Sequence, residues 1–112
     1  MDFEVKFISD DSVVCEIRGR LLIDDEVNKI LSVLESHLEN NIILDLGQLT
    51  YISSAGLSLF IRLLTRTRIH NKKIVLVNLQ ENVEKLFRIA KLNDIFAISD
   101  SIENAVTIIK NK

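Results

Sequence analysis

Proline is absent from this chain, and with it goes the commonest punctuation of linkers and domain boundaries. No low-complexity tract takes its place, so the 112 residues read as a single domain over 1–112, long enough to bury one core without staples. Cysteine is nearly as scarce. Cys15 stands alone, cannot form an internal disulfide, and lies in an apolar stretch, which predicts a buried, reduced thiol. Aromatic residues make up only 5%, so the core has to be aliphatic. No apolar run approaches the roughly 18–20 residues of a membrane span. Met1-Asp2-Phe3-Glu4 lacks the basic-then-apolar layout of a signal peptide. The expectation is a cytoplasmic protein without membrane insertion. Net charge is −2, which argues against phosphate binding through bulk positive charge, direct nucleic-acid binding included.

What is present is an apolar content of 47%, typical of a packed globule, arranged in two alternating periods. Phe3 to Ile8 alternates apolar and charged residues, the pattern of a half-buried strand. Asp10-Asp11-Ser12 supplies a turn, Val13 to Arg18 resumes as a hairpin partner, and Gly19 ends it. Asp24 or Asp25 can cap a helix carrying Val27, Ile30, Leu31, Leu34 and Leu38 on one face, closed by Asn40-Asn41. Ile42 to Leu46 and Ile74 to Val77 are short apolar runs, as expected of strands covered on both faces. Between them a loop from Gly47 reaches Ser53, and a helix runs from Ala55 to about His70 with Leu57, Phe60, Ile61 and Leu64 inward. A third helix carries Val83, Leu86, Phe87 and Ala90, and Phe96 to Ile98 reads as a last short strand. Asp100 with Glu103 resembles a capping box opening a final helix through Ile109. The order β-β-α-β-α-β-α-(β)-α predicts an α/β fold with a mixed sheet, parallel through its crossovers and antiparallel at the N-terminal hairpin.

Catalytic and metal-binding patterns fail one by one. His37 and His70 have no spaced partners and read as solvated helix-surface residues. Gly19, Gly47 and Gly56 are too scattered for a phosphate-cradling loop. Ile52-Ser53-Ser54-Ala55-Gly56 lacks the glycine two residues before the serine that a nucleophile elbow needs. Asp10-Asp11 and Asp24-Asp25 fit turn and cap roles. Arg62, Arg66 and Arg68 read as an ordinary solvated helix face, with a partner-facing basic stripe beside the serine pair as the alternative. No enzyme, metal or cofactor is predicted.

The segment Tyr51 to Ser58 stands out. One serine suffices to cap a helix, accepting a hydrogen bond from an orphan N–H, yet Ser53 and Ser54 both stand at this start. Two readings are open. In one the pair is a plain cap. In the other a hydroxyl at the carboxyl side of the sheet is a phosphorylation switch, its phosphate favoured by the helix dipole while it carries about −2 charge onto the surface.

With these residues in view the sequence resembles the STAS domains, specifically bacterial anti-sigma factor antagonists. The anchors are Gly19-Arg20-Leu21, Ile43-Leu44-Asp45-Leu46, Tyr51-Ile52-Ser53-Ser54-Ala55-Gly56-Leu57, Ile74 to Leu79, and Leu92-Asn93-Asp94-Ile95-Phe96, in that order over nearly the whole chain. The resemblance implies a STAS-type mixed β-sheet of about four to five strands with about four helices mainly packed on one face. It implies a non-enzymatic protein that binds an anti-sigma factor serine kinase, frees the sigma factor, and is released by phosphorylation and restored by a phosphatase. The family motif is Asp-Ser-Ser/Thr-Gly-Leu-Gly. Aligned on Gly56-Leu57, it puts Ser54 at the modified position, Ser53 where the Asp usually stands, Ala55 at the second hydroxyl and Ser58 at the last glycine. A second acidic position of the family falls on Leu22, with Asp24 and Asp25 nearby. The implied partner surface is therefore Ser53, Ser54, Ala55, Gly56, Leu57, Ser58, Leu22 and Asp24. The alternative function is a constitutive adaptor, such as the STAS subunit of a transport complex or a stressosome-like scaffold, in which Ser54 is never phosphorylated. Nucleotide sensing has family precedent but no motif here.

Overall fold

A computed structural model of the protein describes residues 2–9, 11–21, 24–37 and 39–110, with the backbone alone at 21, 24 and 55. The elements run β1 (Asp2–Ser9), β2 (Ser12–Leu21), α1 (Asp24–Glu35), β3 (Asn41–Asp45), β4 (Leu49–Ile52), α2 (Ser54–Ile69), β5 (Ile74–Val77), α3 (Glu81–Ile89), β6 (Ala97–Ser99) and α4 (Ile102–Lys110). One mixed sheet is ordered β1-β2-β3-β5-β6, with β4 joining it beside β2. Among the described residues only β1 runs antiparallel, to β2; the other pairings are parallel. The α/β class and the mixed sheet agree with expectation, with six strands and four helices among the described residues.

Burial of the middle strands explains the layering. All of β5, and all of β3 except Asp45, is buried. Successive side chains of a strand point to opposite faces, so these apolar runs need cover on both. Ile42, Leu44, Ile74 and Leu76 join the larger core beneath α1, α2 and α3, where Phe60 and Phe87 lie 5.8 Å apart between ring centres. Ile43, Val75 and Val77 meet Val14 and Ala105 under α4 on the opposite face. Each fully buried aliphatic side chain contributes roughly 1.5–3 kcal/mol. The ion pair between Arg66 and Glu35 joins α2 to α1, so the three arginines of α2 are not one free stripe.

Three features differ from the sequence reading, each for a local reason. First, Gly19 does not end β2. Its φ of +88° is a left-handed conformation that glycine adopts without steric cost, and it lets the strand change partner. Ser12–Glu16 pairs with β3, whereas Gly19, Arg20 and Leu21 pair with β4 across a register shift. Second, the expected loop after Gly47 contains β4, which extends the sheet from the point where β3 stops. Gly19 N–H donates to Gln48 O at 2.8 Å, and Thr50 Oγ1 donates to Gly19 O at 3.1 Å. Third, Ile61 is 41% exposed while Leu59 and Leu63 are buried. A helix turns about 100° per residue, which carries Ile61 from the buried stripe to its rim.

Smaller shifts follow. The last strand lies one residue later than expected, at Ala97–Ser99. The cap of α4 is Ser101, whose Oγ accepts from Asn104 N at 3.1 Å, and Asp100 instead accepts from the Asn104 side chain at 2.6 Å. His37 packs edge-on against Phe7, 5.5 Å between ring centres, and is half-buried, while His70 closes α2. Leu38 and Asp10 lie outside the described residues. Among the described residues no helix is long and apolar enough to cross a membrane.

Replacing Gly19 by alanine is expected to destabilise the fold by roughly 1–3 kcal/mol, because a side chain is then held at positive φ. A thermal or urea melt of Gly19→Ala measures this, and an unchanged midpoint contradicts the assigned strain. Cys15 is fully buried, and burial pushes its thiol up to about 12 from an ordinary 9.0. Between those values the unfolded chain gives up a proton that the native one keeps, so stability falls as pH rises through that window. Iodoacetamide at about pH 9 should leave the native thiol unmodified and alkylate it only in denaturant.

Candidate functional site

Because β2 through β6 are mutually parallel, their carboxyl ends open at one end of the sheet. Parallel α/β sheets commonly place sites at such an end. Here β4 passes directly into α2 through Ser53. This residue is extended (φ −91°, ψ 176°); its Oγ accepts from Gly56 N at 3.3 Å and its carbonyl from Leu57 N at 3.0 Å. It is the N-cap, and it satisfies an orphan donor of the first turn.

The cap role thereby falls on one serine of the pair. Ser54, the first residue of α2, is exposed, and its hydroxyl has no hydrogen-bond partner among the described residues. Ser58 is exposed one turn further along, on the same helix face. Gly56 is buried and Leu57 half-buried against the main core, so these two fix the helix start rather than face solvent. Ala55 lies in α2 with its side chain outside the description. Asp24 opens α1, likewise without a described side chain, and Leu22 lies outside the described residues.

The first turn of α2 contains no acidic residue, so the partial positive charge of its exposed N–H groups meets no carboxylate from its own turn. On the β2–β4 pair that precedes α2, the Arg20 guanidinium lies over the ring of its strand partner Tyr51 at 5.3 Å, a cation–π contact. Tyr51 is 42% exposed. The edge is tied to the next loop by Asn82 Nδ2 donating to Thr50 O at 2.7 Å and Gln80 Nε2 donating to Gly47 O at 2.8 Å. Asp45 accepts from Gly47 N at 3.1 Å and Asn78 Nδ2 at 3.3 Å. A Cβ at Gly47 would stand 3.3 Å from both Asn78 Cβ and that carboxylate.

The sequence offers no sign that Arg20, Gln80 and Asn82 belong here, and it marks Tyr51 only as the start of the serine segment. Arg20 and Tyr51 lie within segments that resemble the family, but their contact depends on the pairing of β2 with β4. Gln80 and Asn82 arrive from a segment about 30 residues away with no local signal. Among the described residues no group of three or more His, Cys, Asp or Glu could hold a metal ion. What the arrangement offers is an exposed hydroxyl with no hydrogen-bond partner among the described residues, on a capped helix start.

A mixed sheet whose fourth strand leads into a helix opening on a capping serine and an exposed one defines a class of small α/β domain. The chain belongs to the STAS domain family, whose profile matches residues 4–105. It is 36% identical over 72 residues to BtrV of Bordetella bronchiseptica, a candidate anti-sigma factor antagonist; that match covers 64% of this chain and 62% of BtrV. Among solved structures, a candidate anti-sigma factor antagonist from Thermotoga maritima superposes with a TM-score of 0.89 at 25% identity, over 97% of this chain and 95% of that one. The anti-sigma factor antagonist SpoIIAA in its unphosphorylated form gives 0.84 at 18% identity, over 97% and 96%. The phosphorylated form of SpoIIAA from Bacillus gives 0.77 at 18%, over 97% and 100%. The chain is thus a STAS domain with the same fold as these solved antagonists.

The two serines should separate in a thermal melt. Ser53→Ala removes the cap bond and is expected to cost about 0.5–2 kcal/mol, whereas Ser54→Ala should stay within about 0.5 kcal/mol of the parent. Equal losses would contradict the assignment of the cap to Ser53.

Proposed function

We propose that this chain is an anti-sigma factor antagonist whose binding is switched at Ser54. The unmodified protein binds an anti-sigma factor serine kinase through the surface around Ser54 and so frees a sigma factor. Phosphorylation of Ser54 ends that binding, and a phosphatase restores it. In this reading the domain spans 1–112, acts in the cytoplasm by contact rather than catalysis, and needs no cofactor of its own. The kinase supplies the ATP and magnesium.

The observation that carries the reading is the division of labour at the head of α2. Ser53 holds the cap, so Ser54 can be modified without loss of the cap bond. A phosphate there sits in the favourable half of the helix dipole, worth about 0.3–1 kcal/mol, and the fold tolerates it. The same dianion in a partner interface is unpaired and partly desolvated, a cost on the order of 3–5 kcal/mol. At about 1.4 kcal/mol per tenfold in affinity, that is a loss of more than 100-fold. SpoIIAA, with the same fold, exists in both phosphorylated and unphosphorylated forms, which supports the reading by analogy of fold.

One observation favours the constitutive adaptor instead: Ser53 replaces the acid that the family motif usually carries, and the first turn of α2 has no acid at all. In that case the Ser54 surface binds a partner of a transport complex or a stressosome-like scaffold in one state only. Pulldown from the native host separates the two. On the switch reading, wild type and Ser54→Ala retain a kinase-type anti-sigma factor and Ser54→Asp loses it. Protein isolated from that host should carry a species heavier by about 80 Da, one phosphoryl group, that Ser54→Ala abolishes. Equal retention by all three variants, with no heavier species, would leave the adaptor.

A further inference from the structure

The sheet has one long unpaired edge among the described residues. β1 spans eight residues and ends the sheet, whereas β6 at the other end has three. Such an edge presents a row of free N–H and C=O groups and is normally guarded. Here the guard is thin. Phe7 is 64% exposed and Ile8 is 42% exposed on this strand, and the charges at its centre are an alternating Glu4 and Lys6, only 3.7 Å apart in their own chain. Phe3, Val5 and Phe7 share the face toward the large core; Glu4, Lys6 and Ile8 share the other.

We infer that this edge pairs with β1 of a second copy of the chain, antiparallel and two-fold about Val5. A two-fold perpendicular to a continuous sheet keeps each residue on its own face, so opposed residue numbers must sum to an even value. A sum of 8 sets Glu4 against Glu4 and leaves Lys6 facing Asp2, whose carboxylate already accepts from Arg18 at 2.8 Å. A sum of 12 sets Lys6 against Lys6. A sum of 10 sets Glu4 against Lys6 twice, Phe3 against Phe7 twice, and Val5 on the axis. Opposite charges and aromatic pairs directly across an antiparallel ladder are the stabilising cross-strand pairs, and the isologous arrangement repeats each of them. Of the three registers, this one alone opposes no like charges. The irregularity between Phe7 and Ser9 stops the ladder after Phe7. The interface is therefore a short strand pair, smaller than a standard stable one, and the association depends on concentration. Because the two-fold reverses strand direction, the carboxyl ends of the two parallel sheets point away from one another, and both Ser54 surfaces stay open.

Charge reversal tests the register by sedimentation equilibrium from about 10 μM to 1 mM. Wild type is expected to dimerise across this range. Glu4→Lys alone opposes ammonium to ammonium at both charged pairs, and Lys6→Glu alone opposes carboxylate to carboxylate. Each variant should therefore dimerise at least tenfold more weakly. In an equimolar mixture of the two, one copy brings only ammonium groups to these pairs and the other only carboxylates. That mixture should recover the wild-type mass, with melting curves confirming that each variant is folded. A wild type that stays monomeric at 1 mM, variants that dimerise as well as wild type, or a mixture that stays monomeric would each overturn the inference, and the second would point to another interface.

Discussion

The fold depends on one constraint: the two central strands are apolar on both faces and have to be covered on both. Ile42 and Leu44 point one way, Ile43 the other, and β5 repeats the alternation with Ile74 and Leu76 against Val75 and Val77. Three helices answer the first need and α4 the second. The crossover helices in turn make the neighbouring strands parallel. Parallel strands bring their carboxyl ends together, and that is where the Ser53–Ser54 junction lies. The position of the candidate site is thus a late consequence of aliphatic residues that never touch solvent.

The second organising feature is β2, which serves two partners in succession. A strand that only paired with β3 would leave β4 as loop, and the start of α2 would hang on Ser53 alone. The positive φ at Gly19 lets the strand continue with Arg20 across from Tyr51. The Thr50 hydroxyl, the Gln48 carbonyl and the Asn82 side chain then fasten β4 from both sides. Ser54 is presented by a fixed frame as a result.

What could be read in the sequence follows from how local the causes are. The strands β3 and β5 and the stripes of α1 and α3 declare themselves through period and burial within a few residues. So did the turn chemistry at Asp11, whose carboxylate accepts from Ser9 and Ser12 and is held below the usual range chiefly by those hydroxyls. β4 did not, because Leu49 and Ile52 are buried while Thr50 and Tyr51 are exposed; four residues in that pattern carry no strand period. Gly19 reads as an ending in sequence because a glycine's positive φ serves a bulge as well as a stop. The serine pair was visible, but its asymmetry is a matter of which Oγ faces Gly56 N, a choice made by backbone angles. The packing of His37 on Phe7 is likewise long-range. The strand-edge complementarity of β1 sits in plain sequence, yet it gains meaning only once β1 is known to be outermost.

The seating of Ser54 in the first turn of α2 also sets terms for any enzyme that would act on it. Its neighbours on either side are committed, Ser53 to the cap and Gly56 and Leu57 to the packed helix start. A catalytic cleft that grips an extended peptide has nothing to grip here without unwinding the helix. Recognition has to read a shaped surface instead, assembled from the β4 edge, the head of α2 and the loop before α3. An isolated peptide covering residues 51–58 would carry the right hydroxyl and almost none of the address.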